Sequence, residues 1–171
     1  MKKTFFGLFL LLAWNSNLDA QTSFYEGKTI TLLVGTSAGG LYDRYARLMA
    51  EHWGKHIPGN PDFVVQNMPG AGSLIAANHV YGVAKPDGLT ILSVVPAIYF
   101  NQLAGRQEVR FDWAKFNYIG SVDRSDNLLY MRSDTPFKTI HDVRRPTHPP
   151  KCGATGTGTV GHYTPTLINE T

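Results

Sequence analysis

The chain has 171 residues, 43% of them hydrophobic and 17% charged, and its 16 Lys and Arg against 13 Asp and Glu give a formal net charge of +3. A balance that small supplies no basic surface for a nucleic acid, so a nucleic-acid partner is excluded. Cys152 is the single cysteine; without a partner it builds no disulfide framework and reads as a small buried strand residue.

Lys2 and Lys3, an apolar run from Phe5 to Trp14, and the ending Leu18-Asp19-Ala20 have the layout of a secretory signal peptide over residues 1–20, with cleavage expected after Ala20. The apolar run is about ten residues, short of the roughly twenty that a spanning helix needs. No cysteine lies near the cleavage site to carry a lipid, so no lipid anchor is expected and the product reads as soluble and periplasmic. The chain beyond residue 20 can bury one good core but is short for a two-lobed protein.

Thr29 to Val34 (TITLLV) is β-rich and apolar, and Gly35 to Gly40 (GTSAGG) follows as small residues that no helix interior favours, a strand and then a tight loop. From Leu41 the positions Leu41, Tyr45, Leu48, Met49 and His52 fall at helical spacing, with Asp43, Arg44, Arg47 and Glu51 on the other face. Gly54, Pro58, Gly59 and Pro61 end that helix, and Phe63-Val64-Val65 makes a short strand. The loop Asn67 to Ser73 leads to a helix over Leu74 to Val83, a turn at Pro86-Asp87-Gly88 and a strand over Leu89 to Val95. Strand, helix, strand, helix, strand in this order implies a parallel sheet with crossover helices.

After Phe100 the texture changes. Phe116 to Val122 and Leu128 to Arg132 read as strands separated by Asp123-Arg124-Ser125-Asp126. The expected division is a partial first α/β lobe over residues 21–105 and the start of a second over 106–171. Thr139 to Arg145 is a short helix candidate, Pro146 to Pro150 a proline-rich loop and Lys151 to Thr155 a brief strand. The small-residue loop Gly156 to Gly161 then leads into a helix that has barely begun when the chain ends.

Three loops therefore sit where strands feed helices. In a parallel sheet that edge gathers unpaired backbone N–H groups and positive helix ends, which suits an anion. Thr36, Ser37, Ser73, Thr155, Thr157 and Thr159 add neutral donors. Tight turns alone also explain such glycines, but recurrence of the pattern in both halves favours binding.

Other motifs compete. Gly35-Thr36-Ser37-Ala38-Gly39 matches G-x-S-x-G, the nucleophile elbow of α/β hydrolases, which makes a serine hydrolase using Ser37 the alternative enzyme reading. It follows the first strand after the leader, whereas an elbow normally follows earlier strands whose loop supplies an oxyanion N–H, and none of His141, His148 and His162 is marked as a partner. Gly156 to Gly161 matches G-x-G-x-x-G, but after a weak strand, and neither loop has the lysine of a phosphate loop. His52 and His56 are spaced i, i+4 without the intervening glutamate of a metal motif. No metal or cofactor is expected. Asp43, in the first turn of its helix, is first a favourable charge at a helix N-terminus and second a contact to a ligand amine or a bridging water.

Four stretches, Leu33 to Leu48 (LVGTSAGGLYDRYARL), Gly59 to Asn78 (GNPDFVVQNMPGAGSLIAAN), Phe111 to Val122 (FDWAKFNYIGSV) and Gly153 to Thr159 (GATGTGT), resemble the substrate-binding proteins of tripartite tricarboxylate transporters, the Bordetella uptake gene receptors. The resemblance runs from about Lys28 to nearly the C-terminus, and the second stretch is the most specific. It implies an α/β, periplasmic-binding-protein-like fold of two lobes, each a mainly parallel sheet with flanking helices, the second lobe and the return to the first incomplete here. It implies no enzyme but a receptor that closes on a small carboxylate and hands it to the membrane components of a transporter. Carried over by position, the first ligand loop is Thr36, Ser37, Ala38, Gly39 and Gly40 with Asp43. Gly72 and Ser73 of the Pro69 to Ser73 loop lie nearby, and Thr155, Gly156, Thr157, Gly158 and Thr159 form the loop of the second lobe. Leu41 stands where many relatives have a glycine or a small hydroxyl residue. A chain that stops near the middle of such a receptor, a truncated product, is expected to be poorly stable alone and to bind weakly.

Overall fold

The computed structural model describes residues 23–124, 128–144, 148, 150–154 and 156–170. The leader, Ser125 and Asp126 of the expected turn, Arg145, most of the Pro146–Pro150 loop and Thr155 lie outside them.

The centre of the molecule is a parallel sheet of three strands, β1 (Thr29–Val34), β2 (Asp62–Asn67) and β3 (Thr90–Ser93), in the order β2-β1-β3. The sequence reading placed β1 at its observed bounds. As the middle strand β1 is covered on both faces, and Ile30, Leu32, Leu33 and Val34 are all buried, the continuous apolar run of a parallel-sheet strand. The edge strand β2 instead alternates, with Phe63, Val65 and Asn67 turned to the protein and Asp62, Val64 and Gln66 to solvent. The register pairs Val34 with both Asn67 and Ser93, so the carboxyl ends of all three strands are level.

Helix α1 (Leu41–Trp53) covers one face, where Ala46 meets Leu32 and Val34 with Tyr42, Met49, Val65 and Ile91 around them. Helix α2 (Leu74–Gly82) and α3 (Ile98–Leu103) cover the other, where Leu74, Ala77, Ile98 and Phe111 pack with Leu92, Val94, Val109, Trp113 and Phe116. The loop after β1 thus turns to one face, while the loops after β2 and β3 turn to the other.

The face that α1 buries differs from the periodicity reading. Asp43 and Ala46 are buried, while Leu41 and Leu48 are 60% and 53% exposed and His52 is also exposed. The small Ala46 lets the helix approach the sheet closely, and Asp43 beside it is drawn inward by hydrogen-bond donors from Gly39, Arg47 and Asn67; the bulky apolar positions are left outside. Beyond Phe116 the expected strands are not formed. Residues 116–122 and 128–132 run without ladder partners among the described residues, leaving Ile119, Leu128 and Tyr130 at 72%, 85% and 89% exposure. β propensity reflects packing on a pleated neighbour and is not expressed where none is present. Residues 151–154 form no strand either, and Cys152 is exposed. A short helix α4 (Ile140–Arg144) appears as expected, and the last helix, α5 (Val160–Glu170), is a full 11 residues. Among the described residues no helix is long and apolar enough to cross a membrane.

Candidate functional site

The loop from Thr36 to Gly40 lies at the carboxyl end of β1 and is held from below by a charged clamp. Asp43, 2% exposed, accepts at Oδ2 from the Gly39 N–H at 2.8 Å and from Arg47 Nε at 3.0 Å, and at Oδ1 from Asn67 Nδ2 at 3.0 Å. Asn67 Nδ2 also donates to the Thr36 carbonyl at 3.0 Å, and Arg47 Nη2 reaches Asn67 Oδ1 at 3.3 Å. Both ends of the loop are thereby fixed to α1 and to the last residue of β2. The Arg47 guanidinium, then the Gly39 N–H and the Asn67 amide, hold the Asp43 carboxyl well below the usual carboxylate range, at about 2. Asp43 does lie in the first turn of α1, but its carboxylate faces the protein and organises the loop.

That clamp decides which loop groups are available. The Gly39 N–H, expected as a ligand donor, is taken by Asp43. Among the described residues the N–H groups of Thr36, Ser37, Ala38 and Gly40 donate to no protein acceptor. Residues 37–40 are exposed, and Gly40 caps the 13-residue α1 without a side-chain bond, so its first-turn amides have no side-chain acceptor at the cap. Thr36 Oγ1 is buried and has no hydrogen-bond partner.

Ser73 ties the second loop to the same edge. Its hydroxyl, on a residue 1% exposed, donates to the Gly35 carbonyl at 3.0 Å and accepts from the Val95 N–H at 3.4 Å, joining the loops that follow β1 and β3. Gly35 permits this, because a Cβ there would stand 2.5 Å from the Ser73 Cβ. With its hydroxyl so engaged, Ser73 positions the loop and has no hydroxyl proton left for a ligand. Ala71 and Ser73 both hold positive φ, 47° and 73°, on either side of Gly72. Two non-glycine residues in the left-handed region mark a segment held by its surroundings.

Gly72 is the point at which the second loop meets the third. A Cβ on it would lie 3.5 Å from the carbonyls of Thr157 and Gly158 and from Thr159 Cγ2. Gly156 and Thr157 are exposed and Gly158 is buried; Thr159 Oγ1 donates to the Gly156 carbonyl at 2.7 Å, and Thr155 lies outside the described residues. Gly72, Thr157, Gly158 and Thr159 are therefore brought together, and Gly35, which precedes Thr36, contacts Ser73, which follows Gly72. A cleft of about 640 Å³ lies elsewhere, on the side of α2, lined among others by Ala71, Asn78, Arg106 and Arg110. It is open and shares only Ala71 with the loops.

Ser37 makes no hydrogen bond to a histidine among the described residues, and its backbone is outside the left-handed region. A nucleophile elbow places its serine on a strained turn within reach of a base; neither feature is present. His52 and His56 fall on α1 and on the 3-10 turn Gly54–His56, and no group of three metal-ligating side chains occurs among the described residues.

Sequence reasoning missed Asn67 and Arg47. The first could have been found, since pairing the ends of two parallel strands puts Asn67 beside Val34 at the ligand edge.

An α/β unit with a parallel sheet, flanking helices and glycine-rich loops at its carboxyl edge is a partial fold of the periplasmic-binding-protein type. Residues 45–169 match the tripartite tricarboxylate transporter family receptor, and the chain belongs to that family. It is 32% identical over 125 residues to a UPF0065 protein in the gbd 5′ region of Cupriavidus necator, covering 72% of this chain and 37% of that one. It is 28% identical over 170 residues to a UPF0065 protein in the TAR-I ttuE-ttuC′ intergenic region of Agrobacterium vitis, covering 94% and 46% respectively. A UPF0065 protein of Bordetella bronchiseptica is 37% identical over 73 residues, 43% of this chain and 21% of that one. The chain thus spans less than half the length of these relatives.

Proposed function

We propose that the chain supplies ligand-gripping loops of an exported periplasmic receptor that binds a small carboxylate for the membrane components of a tripartite transporter. Family membership supports the receptor role. The carboxylate is supported by one observation above all: the Asp43 clamp engages a single loop amide, Gly39, and leaves the N–H groups of Thr36, Ser37, Ala38 and Gly40 without a protein acceptor, beside a helix end that has no side-chain cap. Such an array is electropositive without a formal charge and bonds a carboxylate oxygen through charge-assisted hydrogen bonds. Gly156 to Thr159, joined to this edge through Gly72, completes the grip. Binding of this kind asks for no nucleophile, no base and no cofactor. The leader over residues 1–20 delivers the chain to the periplasm.

Titration calorimetry with acetate, succinate and citrate, each against its carboxamide analogue, tests the reading. At least one carboxylate binds and its amide does not. Equal binding of acid and amide, or binding of neither, overturns it.

A further inference from the structure

Asn101 is 0% exposed, at the buried side of α3, and none of the loops proposed to bind ligand contains it. Its amide uses both ends. Oδ1 accepts from Arg106 Nη1 at 3.0 Å and from the Tyr163 hydroxyl of α5 at 3.2 Å. Nδ2 donates to the Ile98 carbonyl at 3.2 Å and, at the limit of a hydrogen bond, to the Gly158 carbonyl at 3.5 Å. Gly158 is pressed against it so closely that a Cβ would collide with Oδ1 and stand 2.9 Å from Arg106 Nη1. Phe100 adds a ring contact to Tyr163, with centroids 5.5 Å apart.

From this geometry we infer that Asn101 is a positioning residue for the Gly156–Thr159 loop, setting where that loop stands against Gly72 and hence the spacing of the two halves of the grip. The inference rests on the reading of these loops as ligand-binding. The chemistry selects asparagine. A buried position that must accept from a guanidinium and a phenol while donating to two carbonyls needs an acceptor and a donor on one uncharged planar group. Aspartate keeps the size and the acceptor but turns an oxygen toward the Gly158 carbonyl. Leucine keeps the volume and offers nothing to Arg106 Nη1, the Tyr163 hydroxyl or the Gly158 carbonyl. Arg106 Nη2 also meets Glu108 Oε1 at 3.4 Å.

The test pairs affinity with local protection. In Asn101→Asp and in the milder Tyr163→Phe, amide exchange is measured segment by segment, and citrate and succinate are titrated below the unfolding temperature. Exchange over residues 156–163 is expected to rise about tenfold in Asn101→Asp and less in Tyr163→Phe, while residues 30–34 of β1 keep their protection and carboxylate affinity falls by about tenfold. If exchange rises equally in β1 and the loop, Asn101 is part of the general core and the inference fails. If exchange over 156–163 is unchanged in both variants, it also fails, whatever the ligand does. Wild-type protein that binds neither carboxylate counts against the ligand reading alone, because local protection of the loop still decides whether Asn101 positions it.

Discussion

Two loops of the proposed grip are held by opposite means. Thr36–Gly40 hangs on a buried carboxylate with a guanidinium and two amide donors, whereas Gly156–Thr159 rests on a neutral amide, itself held by a guanidinium and a phenol, and on a close glycine contact. A charged clamp is strong where it is dry and fails when its carboxyl takes a proton. A neutral amide acceptor has no carboxyl to protonate but needs each donor matched to an acceptor. The first loop should therefore respond to acid and to single charge changes, and the second to shape and to donor–acceptor order. The Gly35–Ser73 contact ties the loop after β1 to the loop after β2, and the largest effect is expected there.

Gly35→Ala places a Cβ 2.5 Å from the Ser73 Cβ and 2.6 Å from its Oγ. Ser73 is buried, left-handed and hydrogen-bonded on both sides, so it cannot give way. A loss of about 3 kcal/mol or more is expected by denaturant unfolding, at the upper end of overpacking costs. Gly39→Ala meets nothing within 4 Å and pays only for its φ of +82°, about 1 kcal/mol. Equal losses at the two glycines would mean that the Ser73 contact is not what joins the loops.

How much of this the sequence disclosed depends on how local each signal was. β1 is an unbroken β-rich run ended by small residues, and its bounds came out as Thr29–Val34; α1 starts at Leu41, directly after a glycine pair. The buried face of α1 was misjudged because periodicity weighs bulky apolar residues, while the packing selected Ala46 and a carboxylate with three donors waiting for it. The strands expected near Tyr118 and Tyr130 failed because a strand is a property of two segments, and only one of each pair can be read from a local stretch. Asn101 gave no sign at all. It sits in an aromatic run, and its partners Gly158 and Tyr163 are 57 and 62 positions away.

A smaller effect, confined to one loop, is expected from Asp43→Asn. With its oxygen kept on the Gly39 N–H and Arg47, the new amide sets its NH₂ against the Asn67 amide; turned over, it sets the NH₂ against both Gly39 and Arg47. The carboxyl of Asp43 is lowered from 3.8 to about 2 in the folded chain. A group lowered on folding stabilises fully above its unfolded value, and that contribution drains as pH falls through the folded value. Unfolding midpoints of the wild type should thus drop from about pH 5 toward about pH 2 more steeply than those of Asp43→Asn, with exchange rising first over residues 36–43. Parallel pH profiles for the two proteins would remove the charged clamp from the comparison.

The smallest effect separates holding the first loop from using it. Thr36 Oγ1 is buried and unpartnered, so in the free chain it carries a desolvation cost that no bond offsets. Thr36→Val replaces the hydroxyl with a methyl of similar volume and leaves the Thr36 carbonyl free to accept from Asn67. Stability of the ligand-free chain should stay level or rise, by about 1 kcal/mol at most. If a bound carboxylate recruits the hydroxyl as a donor, its affinity falls in the same variant, and stability and affinity move in opposite directions. A residue that only supports the loop would lower both. A fall in stability together with unchanged binding would show instead that Oγ1 is satisfied in the free chain, and would take Thr36 out of the ligand site while leaving the Asp43 clamp in place.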